Sequence, residues 1–170
     1  NIAIRAAKND KIAITDFGVT FSNSWVQEIS QTLINYPLCS GVYVYRGNGV
    51  IQNSYSLLFS PDIERLDPKH FNPSSRSFGL RRTAVAGVGF YDEKLLIGED
   101  TEFVLRLKKQ NLTFGLNIKA LVYWAPRTSL REVSKQQFSY AFWDALANQN
   151  RGRLIHVAYI VTLLLIFAIT

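Results

Sequence analysis

The chain has 170 residues, enough to bury one sizeable hydrophobic core, or one core plus a membrane segment. Its net charge of +6 suits anionic partners such as nucleotides or lipid head groups. The basic residues are scattered or paired (Arg81-Arg82, Lys108-Lys109, Arg151 and Arg153) and form no long run, which argues against nucleic acid as a partner. The lone Cys39 excludes a disulfide within the chain and fits a reducing compartment, while His70 and His156, without a Cys/His cluster, give no basis for structural zinc.

The first residue is Asn1, with no initiator Met, and the last residues lie inside an apolar run, as expected of a fragment of a larger protein. Ile2 to Lys8 reads as the end of a helix, and Ile12-Ala13-Ile14-Thr15 as a short buried strand followed at once by Asp16-Phe17-Gly18. A carboxylate at a strand end is well placed for ligands, because open α/β sheets bind them at the carboxyl ends of their strands. Ser22 or Asn23 is suited to cap a helix in which Trp25, Ile29 and Leu33 form the buried stripe, up to Tyr36 and closed by Pro37. Ser40 to Arg46 alternates like a half-buried strand.

From Gly47 to Ser75 the periodicity is poor and Gly, Asn, Ser and Pro are frequent, which predicts a long loop with at most a short helical turn. Ser77 to Leu80 reads as a strand, Arg81 to Val88 as a short helix, and Gly87 to Gly98 as a connection. Thr113–Leu116 and Ala120–Trp124 read as two strands separated by Asn117 and Lys119. Ser129-Leu130-Arg131-Glu132 fits a capping box that opens a long helix carrying Phe138, Tyr140, Phe142 and Trp143 among basic residues, a mixture suited to a membrane interface. Leu154 to Thr170 is apolar apart from His156. A span needs roughly 20 such residues, so this run is expected to begin a membrane helix, with the arginines before it keeping the preceding domain on the cytoplasmic side.

Two acidic motifs carry candidate chemistry. Asp100, in Gly98-Glu99-Asp100, lies three and four positions before Phe103 and Val104, so a helix starting there aims this carboxylate towards a buried surface or cleft, where a base is useful. The plainer role for Glu99 and Asp100 is to complement the positive end of the helix dipole. Asp16, at its strand end, can hold a divalent cation whose other ligands are water and substrate phosphates, or it can simply cap the following turn. Asp16-Phe17-Gly18 also spells a kinase magnesium motif, but within this sequence no His-Arg-Asp loop precedes it and no Ala-Pro-Glu follows it, which argues against a kinase.

Asn1, Ile12-Ala13-Ile14-Thr15-Asp16, Trp25, Pro73-Ser74-Ser75-Arg76, Gly89-Phe90, Gly98-Glu99-Asp100, Arg106-Leu107 and Val122-Tyr123-Trp124 occur in an order and spacing that resembles family-2 glycosyltransferases of the GT-A fold, from Asn1 to about Ala147. The resemblance implies an α/β GT-A-like fold whose N-terminal half, which would bind the nucleotide base, is missing. It implies inverting sugar transfer from a nucleotide-diphospho-sugar to a sugar or lipid-linked acceptor. Asp100 would be the catalytic base, supported by Glu99. Asp16 would be the metal ligand for Mg²⁺ or Mn²⁺, and Arg76, Arg81 and Arg82 would contact phosphate or acceptor.

Two departures qualify the match. Gly18 stands where the family's metal motif has its second aspartate, and Gln136 and Gln137 precede Trp143 without the adjoining arginine of processive synthases. The expectation is therefore a non-processive, membrane-anchored enzyme, with a non-catalytic membrane-associated module of the same fold as the alternative. The expected organisation is a transferase portion over 1–127, an interfacial helix over 128–150 and the start of a membrane helix over 151–170.

Overall fold

The computed structural model describes residues 1–146. Helix α1 (Ile2–Ala6) leads into strand β1 (Lys11–Ile14), β2 (Val19–Phe21), α2 (Trp25–Asn35), β3 (Leu38–Tyr45) and α3 (Val50–Phe59). After a 3-10 turn at Ile63–Arg65 come β4 (Phe78–Arg81), α4 (Arg82–Val85), α5 (Glu99–Lys109), β5 (Phe114–Trp124) and α6 (Leu130–Leu146). The strands form one mixed sheet in the order β1-β4-β3-β5-β2, in which only β3 and β5 run parallel.

Strand alternation divides the core between the two faces of this sheet. Cys39, Ala120 and Val122 pack with Trp25, Ile29 and Leu33 of α2. Leu38, Phe78 and Leu80 pack with Val85 of α4 and with Phe103 and Leu107 of α5. Each fully buried Leu or Phe among them contributes roughly 1.5–3 kcal/mol. The expected α2 stripe of Trp25, Ile29 and Leu33 is the buried one. Asn1 holds the Gly87–Gly98 connection at Tyr91, pairing with it as a strand would: its Nδ2 donates to the Tyr91 carbonyl at 2.8 Å and its Oδ1 accepts from the Tyr91 amide at 3.0 Å. Arg106 fixes the near end, donating at 2.6 Å to both the Val88 and Phe90 carbonyls while Glu102 holds its other edge at 2.8 Å.

Besides β2, which the sequence reading does not pick out as a strand, the chain departs from the sequence expectations in four places. The expected loop from Gly47 to Ser75 contains α3, a ten-residue helix. Its apolar periodicity is weak because only Tyr55 is buried, while Val50, Leu57 and Leu58 are exposed. Its start is closed by the Gln52 amide, which accepts from the backbone of Asn48 and Gly49, not by a capping Ser or Asp. Second, the two expected strands around Asn117 and Lys119 are one strand, β5. It absorbs those residues in a register shift, Ser40 facing Leu116 while Val42 faces Leu121. Third, Arg81 ends β4, so the short helix starts at Arg82 and is over by Val85. Fourth, α2 is preceded by Ser24 without a side-chain cap, and Ser22 instead donates to the Lys119 carbonyl at 3.1 Å.

The capping box at Ser129 is present: Glu132 donates its amide to Ser129 Oγ at 3.3 Å, and that hydroxyl donates to the Glu132 carboxylate at 3.1 Å. Among the described residues no helix is long and apolar enough to cross a membrane. The expected membrane helix over Leu154–Thr170 lies outside the described residues, as does the end of the expected 128–150 helix.

The register shift is held by a buried polar knot. Ser77 Oγ donates to the Ala120 carbonyl at 2.7 Å and accepts from the Trp25 indole at 2.9 Å. Gly41 lies against it, and a Cβ there would stand 1.9 Å from Ser77 Oγ and 2.4 Å from the Ala120 oxygen. Gly41→Ala is therefore expected to destabilise the chain by about 1–3 kcal/mol, measured by urea unfolding. Because the backbone oxygen crowds the same space, Ser77→Ala should not rescue it. A neutral Gly41→Ala, or one rescued by Ser77→Ala, would contradict this packing.

Candidate active site

Asp16 follows β1 and Asp100 lies in the first turn of α5, on segments remote in sequence, and both line one cavity of about 460 Å³. Arg76, from the segment that leads into β4, stands between them. Its Nε lies 3.7 Å from Asp16 Oδ2, and its Nη1 donates to Ser74 Oγ at 3.2 Å. Ser74 Oγ in turn donates to Asp100 Oδ2 at 3.1 Å, and the Ser75 amide reaches the same oxygen at 3.4 Å. The Thr101 amide holds Asp100 Oδ1 at 2.7 Å. The Arg76 guanidinium lies over aromatic rings, its Cζ 4.1 Å from the Trp124 centroid and 4.9 Å from that of Tyr43. Thr15 Oγ1 donates to the Arg76 carbonyl at 3.0 Å and so ties the Asp16 loop to the same segment.

The cavity carries three carboxylates (Asp16, Glu99 and Asp100) against one guanidinium. Partial burial raises the Asp16 pKa above its ordinary value even though 46% of the side chain stays exposed; Arg76 opposes the rise and the charge of Asp100 adds to it. Burial also raises Glu99, against its own backbone amide and with the help of Asp100 and Asp16. Tyr91 borders this group, its hydroxyl 2.7 Å from Ser75 Oγ, and burial pushes its pKa up to about 12.

The opposite wall is aromatic. Tyr43 and Tyr45 of β3, Tyr55 and Phe59 of α3, and Tyr140 of α6 line it with Gln137. Gln137 Nε2 donates to the Tyr55 hydroxyl at 2.8 Å and joins α6 to α3 across the rim. Burial pushes the Tyr45 hydroxyl far up, so it stays protonated. These residues were not singled out from the sequence as site residues. A signal existed for Tyr43 and Tyr45, two apart on a strand, and for Gln137 and Tyr140, three apart on a helix. Tyr55 had none, because its helix was read as loop.

Of the six side chains expected at the site, Asp16, Arg76, Glu99 and Asp100 come together, and Arg81 and Arg82 do not. Arg81 Nε donates to the Leu33 carbonyl at 2.7 Å and its Nη2 to that of Ile34, closing the C-terminal end of α2. Arg82 donates to the Ala7 carbonyl at 2.6 Å, tying α4 to the end of α1. Both arginines are consumed by backbone carbonyls outside the cavity.

For a metal, the donor set is thin. Among the described residues no three His, Cys, Asp or Glu side chains converge. Gly18 offers no ligand and adopts φ 82°, a left-handed turn that favours glycine. Mg²⁺ commonly binds through one or two carboxylates and completes its shell with water and substrate phosphates, so Asp16 alone fits such an ion, and the surplus negative charge of the cavity favours one. No protein-family model matches this chain, and no curated protein matches it significantly.

Because the pKa of Glu99 is raised in the fold, its contribution to stability is complete below the ordinary value of 4.5 and is lost as pH rises through the raised one. Glu99→Gln is therefore expected to melt at a higher temperature than the parent at neutral pH, the difference closing as pH falls below 4.5. A variant less stable than the parent at neutral pH would show that Glu99 is held by favourable partners, not crowded by like charges.

Proposed function

We propose that this chain is the acceptor-side part of a GT-A-type inverting glycosyltransferase, which moves a sugar from a nucleotide-diphospho-sugar to an acceptor hydroxyl. One observation carries the reading: Asp16 and Asp100 line the same cavity with a fixed guanidinium between them. Inverting displacement needs a base on one side of the anomeric carbon and a stabilised leaving group on the other. The order and spacing of the motifs from Asn1 to Trp124 support the same assignment.

In the proposed step Asp100 accepts the proton of the acceptor hydroxyl. The oxygen forms its bond to the anomeric carbon as the bond from that carbon to the diphosphate oxygen breaks, and the electron pair leaves with the nucleoside diphosphate. Asp100 is suited to the task because it lines the cavity and Ser74, Ser75 and Thr101 hold its carboxylate in one orientation. Arg76 offers a positive charge that cannot be titrated away. Mg²⁺ or Mn²⁺, held by Asp16 when bound, supplies further positive charge to the leaving diphosphate. Glu99 lines the same cavity beside Asp100, where it supports or orients the base. The placement of the enzyme on the cytoplasmic side of a membrane is proposed from the sequence of 151–170 alone.

A second reading has its own observation. Gly18 removes one metal ligand from the motif, as expected of a module that kept the fold and lost the chemistry. Donor hydrolysis by the intact protein across a panel of nucleotide sugars, with and without Mn²⁺, separates the two. The transfer reading expects turnover of one donor, and Asp100→Asn should lower sugar transfer by roughly 10²–10⁴-fold while donor binding persists. Undiminished transfer in Asp100→Asn would refute the base, and no turnover of any donor would favour the non-catalytic module.

A further inference from the structure

A second groove of about 480 Å³ adjoins the cavity, and Ile97 and Tyr140 line both. On α6, Glu132, Gln136, Ser139 and Tyr140 recur three or four positions apart, forming one stripe along this groove. Its charge is opposite to that of the cavity. Arg127 and Lys135 line it, both side chains are exposed, and among the described residues neither has a hydrogen-bond or ion-pair partner. The one acid there, Glu132, is engaged by the Ser129 and Thr128 hydroxyls at 3.1 and 3.3 Å. Two uncommitted cations therefore stand beside a pocket that holds three carboxylates and one arginine.

This division of charge orients an anionic acceptor. Its anion is repelled by Asp16, Glu99 and Asp100 and drawn to Arg127 and Lys135, while an uncharged portion enters the cavity. The cavity wall met by that portion sets tyrosines, Gln137 and Asn72 among the apolar Phe59, Leu96 and Ile97, so that ring faces lie beside hydrogen-bonding tips. Such a wall suits a sugar ring, with C–H faces against aromatics and hydroxyls towards amides and phenols, better than a hydrocarbon tail.

We propose that the groove along α6 is the subsite for a phosphorylated saccharide acceptor, with Arg127 and Lys135 on the phosphate and the sugar against Tyr140 and Tyr55, one hydroxyl turned to Asp100. The inference rests on the transfer reading and names its acceptor class. The phosphate belongs either to a free sugar 1-phosphate or to a lipid diphosphate bearing the sugar, two sources with one recognition chemistry.

The test is equilibrium binding to the intact protein by ligand-observed NMR. The probes are the 1-phosphates and methyl glycosides of glucose, galactose and N-acetylglucosamine, a detergent-dispersed polyprenyl diphosphate carrying the best of these sugars, inorganic phosphate, and a polyprenyl phosphate without sugar. At least one phosphorylated saccharide, free or lipid-linked, is expected to bind roughly tenfold or more tightly than its methyl glycoside. Arg127→Ala with Lys135→Ala should erase that preference without altering acceptor-independent donor hydrolysis. Preference for the free 1-phosphate or for the lipid-linked form identifies the source. Binding that ignores the phosphate, a preference that survives the double substitution, or equal binding of the sugar-free polyprenyl phosphate overturns the subsite. Donor turnover accompanied by any of these results leaves the transfer reading intact, whereas phosphate-dependent binding without turnover of any donor keeps the subsite and refutes transfer.

Discussion

Four consecutive side chains, Ser74 to Ser77, hold the molecule together around its cavity. Ser74 donates to Asp100 at the start of α5, Ser75 meets the Tyr91 hydroxyl, Arg76 faces Asp16 after β1 and stacks on Trp124 of β5, and Ser77 joins Trp25 of α2 to the β5 backbone. The four residues form a tight turn, closed by the Ser77 amide on the Ser74 carbonyl at 3.1 Å, which fans successive side chains out so that a short run reaches several elements. The position of each carboxylate is thereby referred to one short stretch of backbone. Residues distant in sequence can share a pocket only if something fixes their separation, and here that is the lead-in to β4.

The electrostatics of the pocket set a cost and a use. Three carboxylates around one guanidinium leave surplus negative charge, and burial raises the pKa values of Asp16 and Glu99 with the like charge of Asp100 adding to the rise. A structure selected for stability alone would remove such crowding; a site that must take a proton, or receive a cation with its substrate, gains from it. The aromatic wall and the basic groove beside it then divide the surroundings into regions of different chemistry.

Much of this was legible in the sequence, for identifiable reasons. The α2 stripe and the α5 helix could be read because each buries one regular face, and Asp16 and Asp100 could be picked out because a strand end is where α/β sheets take ligands and because Asp100 falls on the buried stripe of its helix. Motifs that looked functional are partly structural: Arg106 clamps the Val88–Phe90 loop, Asn1 pairs with Tyr91, and the Arg81-Arg82 pair serves backbone carbonyls. No local pattern distinguishes an arginine meant for a phosphate from one meant for a helix end. Helix α3 escaped because it buries a single tyrosine and leaves its leucines outside, and β5 was split because its register shift accommodates polar residues in mid-strand. With α3 read as loop, the place of Tyr55 in the tyrosine wall could not be seen.

The central claim is that Asp16 and Asp100 feel each other across one pocket. Carbon-13 NMR of the aspartate carboxyl groups, followed against pH in the parent and in Asp100→Asn, measures this directly. The charge of Asp100 raises the pKa of Asp16, so removing that charge should move the Asp16 titration to lower pH. An Asp16 titration that does not move would mean that the two carboxylates do not share a site.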